Sequence, residues 1–228
     1  MGNLITFPNK EKTINLDQTV KEKYQDLVSK LQSNPANDYG IKEAEKLADT
    51  ILEIDDYSDI QAPPPIVNIA QDFGFFVAKQ PILKENESGN IYIDGTTAQC
   101  YHNSNKVILV SDREEYFHQR FIIAHELGYY LMCYLSNHEY SDNPGKLFSK
   151  PYYSNKQNDL QADKFAMELL MPQHLFVRQY LFAIEESYDR RYTIFYLSSF
   201  FKVAKSRVER RILEIIDSVI VKSGRHSI

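Results

Sequence analysis

The chain has 228 residues, 43% of them hydrophobic and 25% charged, with a net charge of -5. That composition excludes wholesale disorder and argues against a protein that coats nucleic acid with its whole surface. No apolar run approaches the ~20 residues needed to span a bilayer, and the opening stretch (MGNLITFPNKEK) lacks the apolar core of a signal peptide, so the cytoplasm is the expected address.

Residues 1–62 read as a helical N-terminal extension, and residues 63–228 as the main domain. Val20, Tyr24, Leu27 and Leu31 recur at helical spacing behind Asp17 as an N-cap, and Ile41, Ala44, Ala48, Ile51 and Leu52 repeat the pattern after a breaker at residues 37–40. Pro63 to Pro65 mark the boundary. A short helix over Ile66 to Phe73 is expected to end at Gly74 in a left-handed cap, followed by a strand at residues 75–78. Ile91 to Ile93, a turn at Asp94-Gly95 and residues 98–102 predict a hairpin, and Lys106 to Val110 a further strand. Helices are expected at about 113–135, 157–170, 173–186, 190–200 and 204–221. Helices, a small sheet and then more helices make an α+β arrangement.

The chemistry concentrates in RFIIAHELGYY, residues 120–130. His125-Glu126-Leu127-Gly128 matches the first four positions of an HExxH motif. In that motif two imidazoles at i and i+4 share a helix face and converge on zinc, while the glutamate handles the zinc-bound water. Here the fifth position is Tyr129. A neutral phenol, with a pKa near about 10, is a poor zinc ligand at neutral pH. Taken alone, the His–Glu pair reads more readily as a structural, hydrogen-bonded pair inside a core. Further along, Asp159-Leu160-Gln161-Ala162-Asp163 fits an E-x-x-A-D pattern except at its first residue. Asp159 and Asp163 fall on one helical stripe with Ala162 and Ala166, so both carboxylates point toward a common site. Aspartate is shorter than glutamate by one methylene, about 1.5 Å of reach, against a tolerance of roughly 0.2 Å for zinc–ligand distances.

The run RFIIAHELGYYLM, followed by DLQADKFAMELLMP, resembles the ImmA/IrrE family of regulatory zinc metallopeptidases. Residues 197–204 running into residues 208–212 resemble the same family's closing helices, so the likeness spans about residues 63–215. It implies a small antiparallel-type β-sheet packed against a zincin-like helical bundle. It also implies that His125 is the first zinc ligand and Glu126 the general base, with Tyr129 in place of the second histidine and Asp159 in place of the third-ligand glutamate. Zinc is therefore the candidate cofactor, and weak or absent binding is expected. Family members are typically encoded by phages, mobile elements or stress-response loci and cleave or disable a partner repressor. The expected partner is accordingly a protein such as a helix-turn-helix repressor, with no membrane.

Other donors are conceivable. His102 and His138, on expected strand-end and loop positions, are either substitute ligands or ordinary surface histidines, whereas His118 lies about 10 Å away along the helix. Residues 136–156 form a long loop between two core helices, either a lid or binding segment or a simply disordered stretch. Cys133 reads as a buried core thiol and Cys100 as a strand residue, and two cysteines cannot build a disulfide framework. From Lys202 onward seven Lys/Arg face three carboxylates. Lys205, Arg207, Arg210 and Arg211 border either a solvated helix face or the second helix of a helix-turn-helix unit. Three functions follow: a weak or unusual metallopeptidase acting on a partner protein, an inactive member that binds its partner without cleaving it, and a DNA-binding regulator.

Overall fold

Strict alternation along Lys106–Ser111 (β4) sets the middle of the sheet. Val107 and Leu109 pack with Ala78 on one face, while Ile108 and Val110 enter the main core on the other. The computed structural model describes residues 5–6, 18–33, 41–54, 63–81, 88–93, 105–135 and 156–224. With Ile5–Thr6 (β1), Phe76–Gln80 (β2) and Gly89–Ile93 (β3), β4 forms a sheet in the order β1-β2-β4-β3. The fold is α+β as the sequence implies, but the sheet is mixed rather than wholly antiparallel. β3 runs antiparallel to β4, with Ile91 opposite Ile108, whereas β2 runs parallel to β4, with Phe76 opposite Val107. The reason is topological. β3 takes the far edge in the reverse direction, so the chain re-enters β4 in the sense of β2, and parallel neighbours are joined by a crossover rather than a tight turn. The expected turn at residues 94–95 and strand at 98–102 lie outside the described residues, as do Asp17, Cys100, His102, His138 and residues 136–155.

The helices follow the expected periodicity closely. They are Gln18–Ser33 (α1), Ile41–Ile54 (α2), Ile66–Asp72 (α3), Tyr116–Tyr129 (α4), Lys156–Leu170 (α5), Gln173–Glu185 (α6), Arg190–Phe201 (α7) and Lys205–Gly224 (α8). Gly74 closes α3 at φ 85°. Its N–H donates to Gln71 and that of Phe75 to Ala70, the paired bonds of a Schellman cap. The helix expected over residues 113–135 starts three residues later and changes pitch at its end, where Tyr130–Tyr134 form a π-helical turn.

α4 is buried on nearly every side, from Gln119 to Tyr129. It packs most extensively on α5, and α5 in turn on α2. Gly128 makes the first contact close: a Cβ there would lie 2.6 Å from the Phe165 ring of α5. At Gly89 a Cβ would collide with Ile122 and stand 3.7 Å from Glu126 Oε1, so β3 passes directly over this part of α4. Ala44, Ala48, Ile51 and Leu52 of α2 belong to the same core as Ile123 and Phe165.

Candidate functional site

α4 carries a stripe at helical spacing: Phe121, His125 and Tyr129. Successive ring centroids lie 6.5 and 6.4 Å apart. His125 and Tyr129 therefore share one face, as i and i+4 positions must. Tyr129 is 1% exposed and ranks among the largest fully buried side chains. Glu126 is also buried, at 1%. His118, by contrast, points elsewhere and pairs with Glu114 at 2.8 Å.

α5 supplies both acidic residues, with different roles. Asp163, not Asp159, meets the histidine: its Oδ1 lies 3.1 Å from His125 Nδ1. Its Oδ2 accepts from Arg210 at 3.0 Å and Arg207 at 3.3 Å, both on α8. Burial pushes this carboxyl up, but the hydrogen bond from His125 and the guanidinium charges outweigh it and hold Asp163 well below the usual carboxylate range. Asp163 is therefore ionised at neutral pH, and an ionised carboxylate only accepts, so Nδ1 of His125 donates. Nε2 of His125 and Oδ1 of Asp159 are both buried and lack a hydrogen-bond partner among the described residues. Cys133 lies near enough to Asp159 to feel its charge; burial first, then that charge, push the thiol up to about 12. It is a protonated, inert thiol at neutral pH.

The bare Nε2 and the bare Oδ1 are atoms of the kind a cation satisfies. Among the described residues, however, no three His, Cys, Asp or Glu side chains converge in a group that would hold a metal ion. At the three positions where the family's motifs have their ligands, the chain offers one imidazole nitrogen, one carboxylate oxygen and one phenol. A zinc site uses three or four strong ligands, so the described set does not fit that ion as a complete site.

The sequence of residues 70–213 matches the profile of the IrrE N-terminal-like domain, well over half of the chain. The chain belongs to that family. Zinc is the metal typically associated with the IrrE N-terminal-like domain. Among solved structures, the chain is similar to a Mycobacterium tuberculosis transcriptional regulator, at 15% identity and a TM-score of 0.35. That likeness covers 83% of this chain and 49% of the other, so the chain spans about half the length of the regulator. No curated protein matches the chain. No helix among the described residues is long and apolar enough to cross a membrane.

Sequence reasoning placed Asp163 on the right stripe but did not single it out as the partner of His125. The signal was its position four residues after Asp159, beside a histidine that needs an orienting carboxylate. By sequence alone the basic residues of α8 form either a solvated face or a DNA-reading face. Arg207 and Arg210 bind Asp163, and Arg211, 3% exposed, pairs with buried Glu168, so all three face α5 instead.

Proposed function

We propose that this chain is a regulatory member of its family that engages a protein partner, with zinc-dependent peptide hydrolysis weak or absent. The observation that carries this reading is Tyr129, packed at 1% exposure where the family's motif has its second imidazole. A neutral, buried phenol offers no strong ligand, leaving His125 and Asp159 as two donors where three are needed. The expected partner is a helix-turn-helix repressor encoded beside it, an expectation that rests on the family resemblance.

Elemental analysis of protein purified without added zinc tests the first half; clearly less than one zinc per chain is expected. Mixing the protein with such a repressor tests the second half, with a recovered complex and an intact repressor by mass spectrometry as the expected result. One zinc per chain that survives mild chelation, together with a cleaved repressor, would overturn the proposal.

A further inference from the structure

The histidine of the site is held by a series of contacts that ends on the C-terminal helix. His125 Nδ1 meets one oxygen of Asp163 at 3.1 Å, while the other oxygen accepts from Arg210 Nη1 at 3.0 Å and Arg207 Nη1 at 3.3 Å. Each arginine has a second anchor. The Arg207 guanidinium carbon lies 3.7 Å from the centre of the Phe121 ring, one turn before His125 on α4. A guanidinium held over a ring face at this distance is fixed in position by the cation–π contact. Arg210 Nε donates to Glu214 Oε1 at 3.2 Å, and Glu214 also pairs with Lys164 at 2.6 Å. These are side chains with defined geometry rather than solvated surface cations.

The consequence is a division of labour within one carboxylate. A lone aspartate half-shielded between helices turns freely about its side-chain bonds, and its charge is costly without a counter-ion. Two guanidinium groups on Oδ2 supply the counter-charge and the orientation together, which reserves Oδ1 for the imidazole. A neutral imidazole carries one N–H; with that hydrogen on Nδ1, Nε2 keeps its lone pair. Nε2 is the buried atom of this ring that lacks a hydrogen-bond partner among the described residues.

We propose that Arg207 and Arg210 are positioning residues of this site: by clamping Oδ2 of Asp163 they hold its Oδ1 on His125 and so keep the hydrogen of that imidazole on Nδ1. The proposal rests on reading the residues around buried His125 as the functional site, yet its content is the state of one ring, which is measurable with no partner and no metal present. It gives α8 a task inside the protein.

Nuclear magnetic resonance of the full chain, with 15N-labelled histidine and at neutral pH, reads the ring directly. In the parent protein His125 is expected as a single tautomer, with the hydrogen on Nδ1, a slowly exchanging proton resonance there and a bare Nε2. R207Q/R210Q is expected to lose that slowly exchanging proton and to gain a population with hydrogen on Nε2, while amide dispersion elsewhere is retained. R207K/R210K, which keeps the charge, is expected to restore most of the Nδ1–H population. A merely structural pair of arginines would change stability without moving the tautomer. A folded R207Q/R210Q protein that retains the single tautomer and the protected proton overturns the proposal. Should the double variant fail to fold, R207Q and R210Q are compared singly; a shifted tautomer ratio in either supports the proposal, and an unchanged ratio in both overturns it. A failed search for a partner or for zinc bears on the proposed function alone and leaves this measurement intact.

Discussion

Under the proposed assignment, Tyr129 and Asp159 would fall short as zinc ligands for different reasons: the phenol is neutral, and aspartate is one methylene shorter than the glutamate of the family's motif. Both shortfalls are reversible by substitution. Because His125 and residue 129 share a helix face, Tyr129→His is expected to raise zinc affinity, and adding Asp159→Glu to raise it further. The two effects are expected to be non-additive, since both side chains would meet one ion. Tyr129 is among the largest fully buried side chains, so replacing it leaves a void and is expected to lower stability by about 1–3 kcal/mol without metal. Added zinc should recover that loss by linkage to the folded state. Thermal unfolding with zinc titration of the parent, both single variants and the double variant checks this. A folded double variant that binds zinc no better than the parent would show that these positions are not the vacated ligands.

At the scale of elements, α5 is the part on which the others meet. Glu168, near its end, pairs with Arg211 of α8, both 3% exposed, and its other oxygen accepts from the Gln173 N–H at 2.7 Å, at the start of α6. Arg211 also donates to the Met171 carbonyl at 3.1 Å. One carboxylate thus joins α5, α6 and α8. Truncating one member of a buried pair strands the other charge, so Arg211→Met is expected to lose about 3–5 kcal/mol. Combining it with Glu168→Gln is expected to recover part of that loss, because the amide oxygen still accepts from Gln173 while the stranded charge is gone. Urea unfolding midpoints of the two variants decide this; equal losses in both would show that the charge pair is not what holds α8.

At the scale of the whole molecule, α2 docks on α5 with several carboxylates close together. Desolvation against α5 comes first, then the charges of Glu168 and Glu53, partly offset by His174 and Arg211; together they push Asp49 up to about 6. Glu45 is pushed up for the same first reason, with Glu168 adding to it. A folded-state pKa above the unfolded one means that the folded chain holds the proton more tightly. Stability from Asp49 therefore rises as pH falls from 7.5 toward 5, and is lost as pH rises through about 6. Asp163 has the opposite sign: its contribution is present above the ordinary carboxylate range and is lost only in strong acid. Asp49→Asn is expected to stabilise the protein at pH 7.5 by up to about 1 kcal/mol once solvent screening is allowed for, and by roughly half as much at pH 5, where the unfolded carboxyl is still ionised. Urea midpoints at the two pH values check it, and an equal gain at both would rule out ionisation of Asp49 as the cause.

What the sequence determined on its own is local. The five C-terminal helices, the Gly74 cap, and the placing of His125 and residue 129 on one face all follow from turn chemistry and the 3.6-residue period, which neighbouring residues encode among themselves. The close approach at Gly128 is visible in the sequence as a glycine inside a helix, but not its reason, the Phe165 ring 2.6 Å from a would-be Cβ. Tertiary structure alone decided which strands flank β4, which of two equally placed aspartates meets His125, and where the arginines of α8 point. Periodicity states which face a side chain is on and is silent about what lies opposite. Asp163 reaches His125 across 38 positions and Arg210 across 47, and contacts so distant exist only once the helices have packed.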